Sequence, residues 1–219
     1  MALERIIDTP HGDGRLVTHH ARRPVATVLL SHGAGNGIDT ADLEALATYL
    51  PRNDVSVVRF EQPWKVAGRK VASAPATLDE GLRAAASALR TRTPLVLGGR
   101  SAGARSAARM ARGLGGSGCL CLAFPLHPPG RPESSRVEEL LGSRVPTLVI
   151  QGERDPMGRP EEFPAGVEMT VVPGGDHALR VPKRGQVSQE EALGIVVEST
   201  LEWVIREVVG NQPGNHRRR

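Results

Sequence analysis

Gly99-Arg100-Ser101-Ala102-Gly103 decides how this chain is read. The five residues fit G-x-S-x-G. An apolar run, Leu95-Val96-Leu97, precedes them, and an Ala-rich stretch from Ala104 to Arg112 follows. The run reads as a buried strand and the stretch as a helix, so Ser101 falls on a sharp strand-to-helix turn. Glycines flank such a turn because a Cβ there would collide with the neighbouring strand and helix. The turn lifts the serine hydroxyl above the sheet edge, at the positive end of a helix. Five residues of this kind are a modest signal in a chain rich in Gly, Ala and Ser; the setting gives them weight. The bland alternative is that Ser101 only caps the helix.

Strand and helix signals alternate along the rest of the chain. Glu4 to Asp8 and Arg15 to His20 read as two edge strands joined by a turn at His11-Gly12-Asp13-Gly14. Ala26 to Leu30 is a continuous apolar run that ends in Ser31-His32-Gly33-Ala34-Gly35. A helix follows, with Leu43, Leu46, Ala47 and Leu50 on one face and Pro51 as its stop. Val55 to Phe60 is a strand, and residues 61 to 75 read as loop. Thr77 to Glu80 reads as a capping box that opens a helix, and Ser188 to Glu191 as a second one opening a long final helix through Val208. Further strands are expected at Cys119–Phe124, Thr147–Gln151 and Glu168–Val172. Near-continuous apolar strands between amphipathic helices imply an α/β fold, a mostly parallel central sheet with helices on both faces. One domain over residues 1–210 is expected, with a disordered basic tail over 211–219.

Composition narrows the function classes. The 219 residues suffice for a full core, and 39% of them are hydrophobic. No charged-then-apolar leader opens the chain, and no apolar run approaches the ~20 residues that span a bilayer. A soluble cytoplasmic protein that engages no membrane is the default expectation. The pI of about 9.7 suggests nucleic acid, but the net charge is only +4. Lysine appears only as Lys65, Lys70 and Lys183, so the arginine excess looks like coding bias, and no nucleic-acid partner is expected. Arg105, Arg109 and Arg112 stripe one helix face and read as solvated. Cys119 and Cys121 read as buried small hydrophobes rather than metal ligands, and no metal or other cofactor is expected.

Parallel sheets place ligands at the carboxyl ends of their strands. Ser101 follows the strand at Leu95. Gly152-Glu153-Arg154-Asp155 follows the strand at Thr147, and Gly174-Gly175-Asp176-His177 the strand at Glu168. A serine hydroxyl needs a neighbouring base, and a histidine base needs a carboxylate to fix its tautomer. Ser101, Asp155 and His177 supply those roles in the order serine, acid, histidine. Glu153 and Asp176 are alternative acids, and Asp155 has a plain reading as a turn cap before Pro156. His127 is the rival base. Backbone N–H groups of Ala34 and Ala102 are the candidate oxyanion donors. Trp64, Arg100 and His127 are candidates for the pocket wall. Arg100 either meets a substrate carboxylate or packs inward on a partner acid, and His32 reads as structural. Lys65, Arg69 and Lys70 either recognise an anionic group or face water.

These segments resemble the α/β-hydrolase superfamily, on its dienelactone-hydrolase side. More narrowly, the chain resembles the family of the testis-expressed α/β-hydrolase-like proteins and the hydrolase-like domain of a subunit of the NSL histone acetyltransferase complex. The resemblance rests on Ser31 to Gly35, Ala67-Gly68-Arg69 after Pro63-Trp64, Gly98 to Gly103, Pro125-Leu126-His127-Pro128-Pro129-Gly130, Gln151 to Pro156 and Gly175-Asp176-His177. It implies an α/β-hydrolase fold with Ser101, Asp155 and His177 as nucleophile, acid and base. The expected activity is hydrolysis of a small ester or thioester through an acyl-enzyme, with a small-molecule acyl substrate as partner. The segment from Pro125 to Arg144 is short, so no large cap domain is expected. The alternative is a catalytically silent binding or scaffold protein that keeps the shell. Oligomeric state is not legible.

Overall fold

The apolar runs line up as one eight-stranded sheet in a computed structural model that describes residues 2–211. In chain order the elements are β1 (Ala2–Thr9), β2 (Gly12–His19), β3 (Ala26–Ser31), α1 (Ala41–Tyr49), β4 (Val55–Glu61), α2 (Pro63–Val66), α3 (Pro75–Ala88), β5 (Leu95–Arg100), α4 (Ala102–Met110), β6 (Gly118–Leu122), α5 (Val137–Leu141), β7 (Thr147–Gly152), β8 (Glu168–Val172) and α6 (Gln189–Trp203). A π-helical turn, Val204–Val209, extends α6. The expected basic tail lies, from residue 212 onward, outside the described residues.

The sheet runs β1-β2-β4-β3-β5-β6-β7-β8. β1, β2 and β4 pair antiparallel, and the six strands from β4 to β8 across the order are parallel. Strand side chains alternate between two apolar layers. Val28 and Leu30, Leu120 and Leu122, and Leu148 and Ile150 enter the layer shared with α1 and α6. Leu29, Leu97, Cys119, Cys121 and Val149 enter the layer shared with α3 and α4. The two cysteines are free and buried, on one strand face as their spacing predicts.

Ala104, Ala107 and Ala108 of α4 and Ala111 at its C-cap are fully buried. Their lack of bulk lets the helix approach the sheet closely. The opposite face departs from the sequence reading. Arg105 and Arg109 are not a solvated stripe: Arg105 clamps Glu139 of α5 at 2.6 and 2.8 Å. Arg109 clamps Asp79 of α3 at 2.6 and 2.8 Å and reaches Glu139 at 2.7 Å. These forked ion pairs tie α4 to both neighbours.

Three local expectations are corrected. The hairpin turns at Pro10-His11, with Thr9 opposite Gly12; the Thr9 hydroxyl accepts from His11 N–H and donates to Gly12 O, which closes the turn early. α3 begins at Pro75, not at a Thr77 box, because proline suits the first helical position and Glu80, which would close that box, is paired with His11. The 61–75 loop contains the short helix α2. The Ser188–Glu191 capping box forms as read. The alanine face yields a test: Ala107→Leu should lower unfolding free energy by about 1–3 kcal/mol through overpacking, read by urea denaturation. An unchanged midpoint would mean that α4 is not packed this closely.

Candidate active site

At the junction of β5 and α4 the chain reverses within one residue. Ser101 has φ 53° and ψ −112°, a left-handed-side conformation that costs a non-glycine residue about 1–3 kcal/mol and persists only where its surroundings enforce it. They do so by close approach. A Cβ on Gly99 would stand 2.5 Å from Ser31 O, and one on Gly103 would stand 2.4 Å from the same atom. Ser101 N–H donates to Leu122 O of β6 at 2.9 Å. The turn is thus wedged between β3 and β6.

Ser101 makes no side-chain cap bond to α4, so the bland reading fails. Its Oγ lies 2.9 Å from His177 Nε2. His177 Nδ1 lies 2.7 Å from Asp155 Oδ2. Asp155 is fully buried, and the His177 side chain is 24% exposed, leaving an approach from solvent. Asp155 also fills its plain role, since its Oδ1 accepts from Met157 N–H at 2.8 Å. The rival acids are engaged elsewhere: Glu153 accepts from Gly174 N–H, and Asp176 from Ala178 and Arg180 N–H. A Cβ on Gly152 would lie 2.5 Å from both Gly175 O and Asp176 O. Glycine at that strand end lets the His177 loop lie against it.

Ala34, after β3, is exposed, and Ala102 is the first residue of α4, so its N–H has no intrahelical partner. His32 beneath them is structural, as read. Its Nδ1 bonds Gly33 O at 2.8 Å, its Nε2 accepts from Gln62 N–H at 3.0 Å, and its ring packs on Trp64. Burial pushes its pKa down, which suits a neutral imidazole.

Of the pocket-wall candidates, Trp64 and His127 are buried on other partners, while Arg100 borders a cleft and takes the second of its two readings, packing inward on an acid. Trp64 is buried against His32. His127 is buried with both ring nitrogens in use, Nδ1 on Pro128 O at 2.9 Å and Nε2 on Glu162 at 2.8 Å. Neither nitrogen is free to serve Ser101. The Arg100 guanidinium turns inward to Asp42 of α1, with Nε at 3.0 Å, and to His177 O, with Nη2 at 2.6 Å. Arg100 and Asp42 border a cleft of about 500 Å³ together with Asn36, Thr40, Ala178 and Gln189. Lys65 stands over the Trp64 ring, while Arg69 and Lys70 are exposed.

Two residues at the site were not read from the sequence. Gln151 is fully buried, and its Nε2 donates to Asp155 Oδ2 at 2.9 Å and Gly158 O at 2.8 Å. Its signal was a polar side chain ending an apolar strand. Asp42, an acid in the first turn of α1, carries no sequence signal of its own that sets it apart.

The family model described as an alpha/beta hydrolase domain matches residues 24–205. No curated protein matches the chain. Among solved structures, XC6422 from Xanthomonas campestris, described as an a/b serine hydrolase without lid, is 20% identical. It has a TM-score of 0.70, over 94% of this chain and 95% of its own. Dienelactone hydrolase from Anabaena variabilis is 16% identical with a TM-score of 0.73, over 95% and 98%. Est1E from Butyrivibrio proteoclasticus is 15% identical with a TM-score of 0.69, over 92% and 99%. These likenesses establish the α/β-hydrolase fold.

The His127–Glu162 pair has a definite pH signature. The bond to Pro128 O, and then Glu162, raise the His127 pKa above 6.5. The Arg159 N–H, and then His127, hold Glu162 below 4.5. The His127 contribution is complete below 6.5 and lost as pH rises through its raised value; that of Glu162 is complete above 4.5 and lost as pH falls through its lowered value. Wild type should therefore exceed Glu162→Gln in Tm most clearly between about pH 5 and 6. A pH-independent difference in thermal melts would contradict the pairing.

Proposed function

The chain belongs to the alpha/beta hydrolase family, and from that premise we propose that it is a serine hydrolase of small esters or thioesters. The observation that carries the reading is the continuous contact from Ser101 Oγ through His177 to buried Asp155, built on a strained turn. Ser101 Oγ attacks the acyl carbon while His177 Nε2 takes its proton. Asp155 stabilises the imidazolium and fixes its tautomer through Nδ1–H. The carbonyl oxygen, now an anion, accepts from Ala34 and Ala102 N–H, each donor worth about 2.7–4 kcal/mol in the transition state. Collapse expels the alcohol or thiol, which receives the proton from His177. Water then attacks the acyl-enzyme with the same histidine as base, and the carboxylate leaves.

The proposal favours short acyl groups. The segment after β6 carries only the five-residue helix α5 before β7, so no cap encloses a long chain. Phe60, Phe124, Trp64 and Trp203 are all spent in the core, which leaves little for a stacking pocket. In this reading the chain works in the cytoplasm as one domain over residues 1–210. It needs no cofactor, meets a small-molecule acyl substrate rather than nucleic acid or membrane, and is narrower kin of the testis-expressed and NSL-subunit proteins.

Intact mass after fluorophosphonate treatment tests the reading. Wild type should gain one adduct and Ser101→Ala none, and Ser101→Ala or His177→Ala should lower kcat by about 10⁴-fold or more. A folded wild type without adduct would favour the silent scaffold instead. A second test compares p-nitrophenyl esters. Acetyl and butyryl esters should give higher kcat/KM than decanoyl, and the reverse order would overturn the small-substrate reading.

A further inference from the structure

We infer that Arg100, the residue before the serine, is a positioning residue that sets the imidazole of His177 from behind, anchored by Asp42. The inference rests on the proposed hydrolase reading. Arg100 is 5% exposed and Asp42 2%. A guanidinium and a carboxylate removed from water carry a penalty that only close, well-directed partners offset. Arg100 has two close partners in different segments: Nε lies 3.0 Å from Asp42 Oδ2 in the first turn of α1, an ion pair short of hydrogen-bond alignment, and Nη2 donates to His177 O at 2.6 Å.

The second bond is the informative one. The loop from Gly174 to Arg180 is folded onto itself by Asp176, whose carboxylate accepts from Ala178 and Arg180 N–H and whose own N–H donates to Arg180 O. It is tied to the end of β7 through Gly174 N–H on Glu153 and Arg154 N–H on Gly175 O. Those ties fix the loop upstream and downstream of His177. At His177 itself the main chain is held by Arg100, through a charge-assisted bond stronger than a neutral one. Arg100 also supplies the peptide that leads into Ser101. One residue thereby references the base to the nucleophile: its backbone sets Oγ and its side chain sets the histidine carbonyl. Nη1 comes within 3.5 Å of where a Cβ on Gly33 would stand, so the same guanidinium backs the loop that presents Ala34. Two of its three nitrogens are already committed, which argues against a substrate-carboxylate role.

The test uses the full chain as wild type, Arg100→Lys, Arg100→Met and the charge-balanced double variant Arg100→Met with Asp42→Asn. The double variant leaves no unpaired buried charge and so keeps the test open if Arg100→Met alone fails to fold. On p-nitrophenyl butyrate the double variant should lose about 10²-fold in kcat, the scale of a misplaced catalytic group, with KM held within about twofold. Arg100→Lys should recover part of the loss, since an ammonium reaches one partner but not both. The low-field proton resonance of the His177 Nδ1–H bond, identified by its disappearance in Asp155→Asn, should shift or broaden in the double variant at unchanged Tm. That reading needs no turnover. A wild type that takes no fluorophosphonate adduct would sink the hydrolase proposal, while the resonance would still report on the brace. Wild-type kcat together with an unmoved resonance in the double variant would reduce Arg100 to a charge partner of Asp42 and overturn the inference. Loss confined to esters bearing a carboxylate, through KM, would overturn it in favour of substrate binding.

Discussion

Ser31 O lies where Cβ atoms on Gly99 and Gly103 would have to stand, and much of the site follows from that crowding. β5 leaves the sheet, turns at Ser101 and re-enters as α4 without drawing away from β3. Strain at Ser101 is held because both sides of the turn are pinned, by β3 through the glycines and by β6 through Leu122 O. The same closeness places the loop after β3 beside the serine, so Gly33 stands next to it with no further device. A slip in the β3–β5 register would disturb the turn at Ser101 and the loop after β3 together, which couples the parallel core directly to the proposed chemistry.

Around that turn the strand ends carry polar groups that are dry and must be satisfied within the protein. Asp155 divides its two oxygens between Met157 N–H and His177, with Gln151 supporting the second. His32 is held between Gly33 O and Gln62 N–H. Arg100 is held between Asp42 and His177 O. Each buried group reaches across to a different loop, so the loops after β3, β4, β5, β7 and β8 are cross-linked at one sheet edge. Low local dielectric strengthens such bonds and makes a broken one costly. The arrangement is therefore stiff where the proposed mechanism needs fixed distances.

Some of this was legible in the residues and some was not, for identifiable reasons. The three central side chains could be named because each follows an apolar run that fixes its strand, and parallel strands deliver their ends to one edge. The alanines of α4 were readable because small residues at helical spacing admit one packing. The arginines on its other face were misread because a charged side chain at helical spacing looks the same in water as in an ion pair; what decided it was Glu139 on α5, a five-residue helix with too few turns to show a period. The Thr77 box failed because proline at position 75 offered an earlier start, a competition settled by Glu80 being paired with His11. Asp42, Gln151 and His127 share one cause. A polar residue among apolar ones shows that it will be buried, but its partner is set by long-range contact.

The Pro125–Gly130 segment shows how the same rules shape access. In a hydrolase that encloses its substrate, this stretch would rise over the serine. Here it is drawn down. His127 N–H donates to Met157 O, Arg136 N–H to Leu126 O and Arg136 Nη1 to Pro125 O, while the His127 ring is held to Glu162. The His127 bonds fasten the segment to the loop that carries Asp155, and the Arg136 bonds fasten it to the start of α5. A segment held this way supports the acid instead of covering the nucleophile. Binding energy in the proposed reaction must then come from groups close to the scissile bond, since no distant wall can supply it, and selectivity would depend on the immediate surroundings of Ser101 more than on chain length enclosed. An edge flanked only by this fastened segment and the short α5, with His177 rigidly held, fits the proposed small acyl group, which needs positioning more than burial.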